Sequence, residues 1–213
     1  MKTDDLVILL ANDVEPVERH AVGRRYVIAI GLGAAAAAAL LVGLLGVRPD
    51  LAEAARLPMF WVKLAFVASL AGASLAVTLR LGRPGVRLHW APTALALPVL
   101  AMWGLGGVEL AEASSVERAA LVFGTSWKSC PGLIATLSIP VFIAALWAMR
   151  GLAPTHLPLA GAASGLLAGA VGALVYCLHC SELGAPFLGI WYLIGMLIPA
   201  GVGGLLGTRL LRW

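Results

Sequence analysis

The side chains best equipped for chemistry in this sequence are three cysteines. Cys130 precedes Pro131-Gly132, while Cys177 and Cys180 stand one helical turn apart with His179 beside the second. A thiolate is both a nucleophile and a soft metal ligand, so thiols gathered with an imidazole can hold a zinc- or cadmium-like ion. Cys130 and Cys180 are therefore candidate metal ligands, with His179 a weaker third. Three cysteines are too few, and too odd a number, for a disulfide scaffold, so any thiol function is local. Cys177-x-x-Cys180 alone equally describes two small buried hydrophobes. Cys130 falls at a helix start near Lys128, and both effects lower a thiol pKa; Cys180 falls at a helix end, where the dipole disfavours the thiolate. The expectation is a reactive Cys130 with Cys180 as its partner, and His179, Glu182 and Lys128 nearby.

Other chemistry is missing from the sequence. It holds no Gly-rich phosphate loop, no H-E-x-x-H and no G-x-S-x-G elbow. A second informative region is the N-terminus. Residues 1–18 carry Asp4, Asp5, Asp13, Glu15 and Glu18 against Lys2 alone, a net of −4. Leu6, Leu10, Val14, Val17 and Ala21 recur at helical spacing. Thr3 suits an N-cap, and Asp4 and Asp5 suit the positive end of a helix dipole. Pro16 divides the segment. A membrane-surface anchor would be basic on its polar face. This acidic amphipathic segment instead fits a partner with a basic, grooved surface, or packs as a solvated leader against arginines of its own loops.

The elements that must position these residues are apolar. Of 213 residues, 61% are hydrophobic and 12% charged, against about 25% charged in soluble domains. Mean hydropathy is +0.94. That excludes a disordered chain, a nucleic-acid-binding domain with a basic face and an ordinary soluble enzyme. Six spans are expected, each near the roughly 20 residues that cross a bilayer: 26–47, 59–79, 90–108, 131–149, 157–178 and 187–206. The fold class is all-α, a polytopic six-helix membrane bundle. The first span is too long for the roughly 7–15 apolar residues of a signal peptide and reads as a retained helix. Only the loop 109–130 has room for a small element outside the membrane.

Orientation follows from Lys and Arg. Ten (Lys2, Arg19, Arg24, Arg25, Arg80, Arg83, Arg87, Arg150, Arg209, Arg212) lie on the side of the termini, and four (Arg48, Arg56, Arg118, Lys128) on the other. Both termini are thus expected in the cytoplasm, and Cys130 and Cys180 share the opposite face. Gly161, Gly165 and Gly169 form a small-residue stripe, and Gly203 and Gly207 another, suited to close helix packing. Pro98, Pro140 and Pro199 fall inside spans as packing kinks. Lys63 is the one charge within a span, placed near its outer end where it can snorkel. Without intramembrane acids or central histidines, an ion-coupled transporter is disfavoured.

The opening Thr3-Asp4-Asp5-Leu6, the Cys130-Pro131-Gly132 step, and His179-Cys180-Ser181-Glu182 followed by Pro186-Phe187 and Trp191-Tyr192 resemble the NrsF family. These are six-helix membrane anti-sigma factors, negative regulators of an extracytoplasmic-function sigma factor. The resemblance spans nearly the whole chain. It implies a protein of the bacterial inner membrane that holds its sigma factor through cytoplasmic parts and releases it under heavy-metal or oxidative stress. It implies two periplasmic sensing cysteines, mapping onto Cys130 and Cys180, with Cys177 a weaker candidate beside them. Residues 1–25 then become the sigma-factor-binding segment, with Asp4, Asp5, Leu6, Leu10 and Val14 as contacts, and 26–213 the transmembrane domain. No catalysis, no resident cofactor and no direct nucleic-acid contact are expected, only a transient heavy-metal ion at the thiols. The competing readings are a thiol-disulfide oxidoreductase coupled to quinone, for which three cysteines are awkward, and a small metal transporter.

Overall fold

The computed structural model describes residues 21–83, 85, 88–152 and 154–212. The acidic segment with Asp4, Asp5, Leu6, Leu10 and Val14 lies outside them. Among the described residues every regular element is helical: α1 (Ala21–Leu44), α2 (Leu51–Ala54), α3 (Pro58–Leu81), α4 (Ala91–Glu112), α5 (Ser115–Phe123), α6 (Cys130–Arg150), α7 (Leu157–Tyr176), α8 (Ala185–Phe187), a π-helical turn (Leu188–Tyr192) and α9 (Leu193–Leu210). The last three run together. Six helices are long and apolar enough to cross a membrane: Val22–Leu44, Pro58–Leu81, Ala91–Glu112, Cys130–Arg150, Leu157–Tyr176 and Ala185–Leu210. They match the six expected spans to within four residues at every end.

Proline marks the helix starts. Pro58, Pro92, Pro131, Pro158 and Pro186 occupy first-turn positions, where the missing N–H has no intrahelical partner to lose and φ is already helical. Pro98, Pro140 and Pro199 stand inside continuing helices. The loop between the third and fourth spans holds the small element it had room for. Helix α5 starts with a capping box in which Ser114 and Glu117 satisfy each other's orphan groups.

Helix α7 is the axis of the bundle: 72% of its apolar window is buried, against 11% for α4 at the periphery. Its centrality comes from glycine. A Cβ on Gly161 or Gly165 would collide with the carbonyls of Gly203 and Pro199, and one on Gly169 would stand 2.7 Å from the Met196 carbonyl. The two small-residue stripes therefore face each other across the α7–α9 contact, with backbones touching. Gly33 does the same for α1, where a Cβ would lie 2.8 Å from the Val141 Cα of α6. At one end of the bundle Arg25 donates to the Trp147 carbonyl at 2.8 Å and stacks 4.3 Å over its ring. Arg150 donates to the Leu210 carbonyl at 2.7 Å. Cations thus meet the last carbonyls of α6 and α9, where the helix dipole is negative. The opposite end holds the cysteines.

Candidate functional site

Cys130 is the first residue of α6, its N–H bonded to the Ser126 carbonyl at 2.9 Å. Cys177 and Cys180 sit on the turn that follows α7, where the N–H groups of His179 and Cys180 both reach the Tyr176 carbonyl at 3.0 Å. This turn and the start of α6 converge, so Cys130 and Cys180, from different helices, lie close enough to titrate as a coupled pair. All three cysteines are free thiols and buried. The Tyr176 hydroxyl lies within hydrogen-bond reach of both sulfurs, and its ring packs on Tyr192 with centroids 5.8 Å apart.

The two thiols titrate as a pair. The hydrogen bond from Cys130, aided by the buried Lys63 ammonium, outweighs burial and pulls Cys180 from a thiol's ordinary 9.0 down to about 5. Lys128, the expected cation, is exposed and lies 5.5 Å over the Trp127 ring. Burial pushes Cys177 up to about 11, so it stays neutral.

Lys63 corrects a second expectation. It does not snorkel outward: it is 0% exposed, and Nζ donates to the Cys180 carbonyl at 2.9 Å and the Glu182 carbonyl at 3.0 Å. It also sits 4.9 Å over the Tyr192 ring. A charge this deep must be partnered, and here backbone dipoles and an aromatic face do so. Within the spans expected from sequence it is the sole charge, and that was the one sign of it.

The loop carrying Cys180 is tied down from every side. Arg48 donates to the Cys180 carbonyl at 3.3 Å, and its N–H donates to the Leu178 carbonyl at 3.0 Å. The guanidinium is fixed by Asp50 at 2.8 and 2.6 Å, which holds the Asp50 carboxyl below the usual range. Glu182 accepts from the Thr125 N–H and hydroxyl, each at 2.7 Å. That contact needs Gly124, whose φ of +52° suits glycine and where a Cβ would crowd the carboxylate at 2.7 Å. Glu109 accepts from the Ala185 N–H at 2.9 Å. The π-helical turn just beyond places its Gly189 carbonyl 2.9 Å from the Trp103 indole N–H, and such turns gather at functional sites.

His179 turns away from the sulfurs: Nδ1 meets the Gly46 carbonyl at 2.9 Å and the ring packs on Tyr176. Among the described residues no three His, Cys, Asp or Glu side chains converge as a metal-holding group. The arrangement that is present, two adjoining thiols and a buried cation, can form a disulfide or bind a soft cation between two sulfurs.

Comparison with known proteins gives a consistent picture. Residues 10–213 match the family model described as NrsF, negative regulator of sigma F. The chain is 59% identical over the full length of both proteins to the "probable anti-sigma-F factor NrsF" of Azospira oryzae. It is 42% identical, again over the full length of both, to the "anti-sigma-F factor NrsF" of Caulobacter vibrioides. No solved structure matches.

Proposed function

The chain belongs to the NrsF family of negative regulators of sigma F, and from that premise we propose a membrane anti-sigma factor whose thiol pair is the stress input. It sits in the bacterial inner membrane with both termini in the cytoplasm. The six apolar helices support the first part, and the excess of Lys and Arg at the end holding Arg24, Arg25, Arg80 and Arg150 supports the second. Cys130 and Cys180 then face the periplasmic side. The partner is an extracytoplasmic-function sigma factor, held by residues 1–25, whose acidic face suits the basic surfaces with which a sigma factor meets DNA and polymerase.

One observation carries this reading: two free thiols from separate helices meet at the end of the bundle opposite the basic end. The signal acts on that pair. An oxidant removes two electrons and the one proton held between Cys130 and the Cys180 thiolate to leave a Cys130–Cys180 disulfide, or a thiophilic metal ion displaces that proton and bridges the sulfurs. Either joins the start of α6 to the end of α7 more tightly. No resident cofactor is required, and the protein acts by binding and release rather than by catalysis. Replacing Leu6 and Leu10 by Asp removes the apolar stripe of the N-terminal segment. The double variant is expected to switch on a sigma-dependent reporter without stress; a reporter as silent as with the unaltered chain contradicts the assignment of residues 1–25.

A further inference from the structure

We propose that Lys63 and Arg48 are the positioning residues that carry the state of the thiol pair to the first and second spans, through their shared hold on the Cys180 carbonyl. The inference rests on the sensing role proposed above and adds the route by which the signal leaves the site. Two cations from the same helical hairpin converge on one backbone oxygen, Lys63 at 2.9 Å and Arg48 at 3.3 Å. Neither is a loose surface contact. Lys63 is fully buried within α3, and Arg48 is 9% exposed, braced by Asp50 and by its own N–H on Leu178.

The oxygen they hold belongs to the residue whose sulfur would react. A disulfide imposes a fixed torsion and a narrow Cα–Cα range, and a metal bridge imposes its own bond lengths. Either moves the Cys180 backbone relative to α6. In a buried setting the carbonyl has no water to turn to, so the cations follow it or lose charge-assisted hydrogen bonds. Arg48 stands just past the end of α1, which begins where the acidic segment ends; Lys63 belongs to α3, which leads to the basic stretch from Arg80 to His89. The two helices that reach the output side are the two that grip the input. The other ties to this loop differ. Thr125 holds the Glu182 side chain and Glu109 the Ala185 N–H, so they brace the loop without reading the Cys180 carbonyl.

The test compares Lys63→Met, Arg48→Gln, Arg48→Lys and Thr125→Ala in the full chain, in host membranes with a sigma-dependent reporter, using the thiol oxidant diamide. Free Cys130 and Cys180 are counted by mass-tag alkylation in the same cells. Responses are compared at diamide doses that oxidise the thiols of each variant to the same extent as those of the unaltered chain, a higher dose being expected for Lys63→Met because its ammonium favours the Cys180 thiolate. At matched oxidation the reporter response of Lys63→Met and Arg48→Gln is expected to be smaller by about fivefold or more, a typical size for coupling between sites. Arg48→Lys is expected to restore part of the response, and Thr125→Ala to keep it. A full response in Lys63→Met or Arg48→Gln with oxidised thiols overturns the proposal. So does failure of their thiols to oxidise at any dose, which would make the cations part of the sensor chemistry instead. If Lys63→Met is not recovered in membranes, Arg48→Gln decides alone, because its side chain lies outside the spans. An unaltered chain whose thiols oxidise without any reporter response overturns the sensing role as well.

Discussion

Removing the Cys130 sulfur should make Cys180 a slower nucleophile, although the two residues are far apart in sequence. The main cause of the low Cys180 pKa is the hydrogen bond from Cys130, with the Lys63 ammonium second among the favourable causes and burial opposing both. At about 5 the thiol is ~99% thiolate at pH 7, whereas at the ordinary 9.0 it is ~1%. The pKa is depressed, so the thiolate is present above about pH 5 and lost as pH falls through that value. In Cys130→Ala the hydrogen bond is gone and burial remains, which moves the thiol back toward 9.0. With Lys63 still in place, burial is opposed by the ammonium alone, and the thiolate fraction at pH 7 falls. The assay is the rate of methyl methanethiosulfonate addition to the Cys180 peptide in membrane vesicles, read by mass spectrometry across pH. Burial scales the whole profile but does not move its midpoint. The unaltered chain should give a plateau at neutral pH with a midpoint near 5, and Cys130→Ala a midpoint shifted upward. A midpoint near 9 in the unaltered chain, or superimposable profiles, refutes the reasoning.

Other expectations follow from the same contacts. Gly165→Leu places a side chain against the Pro199 carbonyl, and detergent-solubilised protein should lose at least ~2 kcal/mol of unfolding stability as an overpacked contact does; an unchanged melting temperature would show that the α7–α9 approach is looser than described. Glu182→Gln weakens the two hydrogen bonds to Thr125, worth about 1–2 kcal/mol after allowance for solvent, and should speed proteolysis of the loop 113–129. Cys177→Ala should leave the response to thiol oxidants intact, because burial keeps that thiol neutral; loss of response would give Cys177 a role that its surroundings do not.

Much of the architecture could be read from the sequence because in an apolar chain two signals dominate. Uncharged runs near 20 residues set the spans, and small residues four apart set the closest contacts; Gly161, Gly165, Gly203 and Gly207 meet as their spacing implied. The convergence of Cys130 and Cys180 followed from counting spans, since both sit at the same end of an up-and-down bundle. What could not be read depends on side-chain direction. Lys63 lies near the end of its helix in sequence, where a long side chain is free to reach outward; only the placement of the 177–184 loop over α3 shows that it points inward. Lys128 is close to Cys130 along the chain but faces Trp127. The helix-dipole argument at Cys130 left out the buried Lys63 ammonium, whose charge favours a thiolate within the pair at short range. The π-helical turn had no signal in the spacing at all.

The central claim joins thiol chemistry at one end of the bundle to sigma-factor release at the other. The direct measurement is affinity capture of the full-length tagged chain from host membranes, before and after brief exposure to a thiol-reactive metal salt, with mass spectrometry of what co-purifies. A sigma factor captured at rest and lost on exposure, but retained after exposure in a Cys130→Ala, Cys180→Ala chain, is the predicted result. A sigma factor captured equally in every condition would contradict the thiol input.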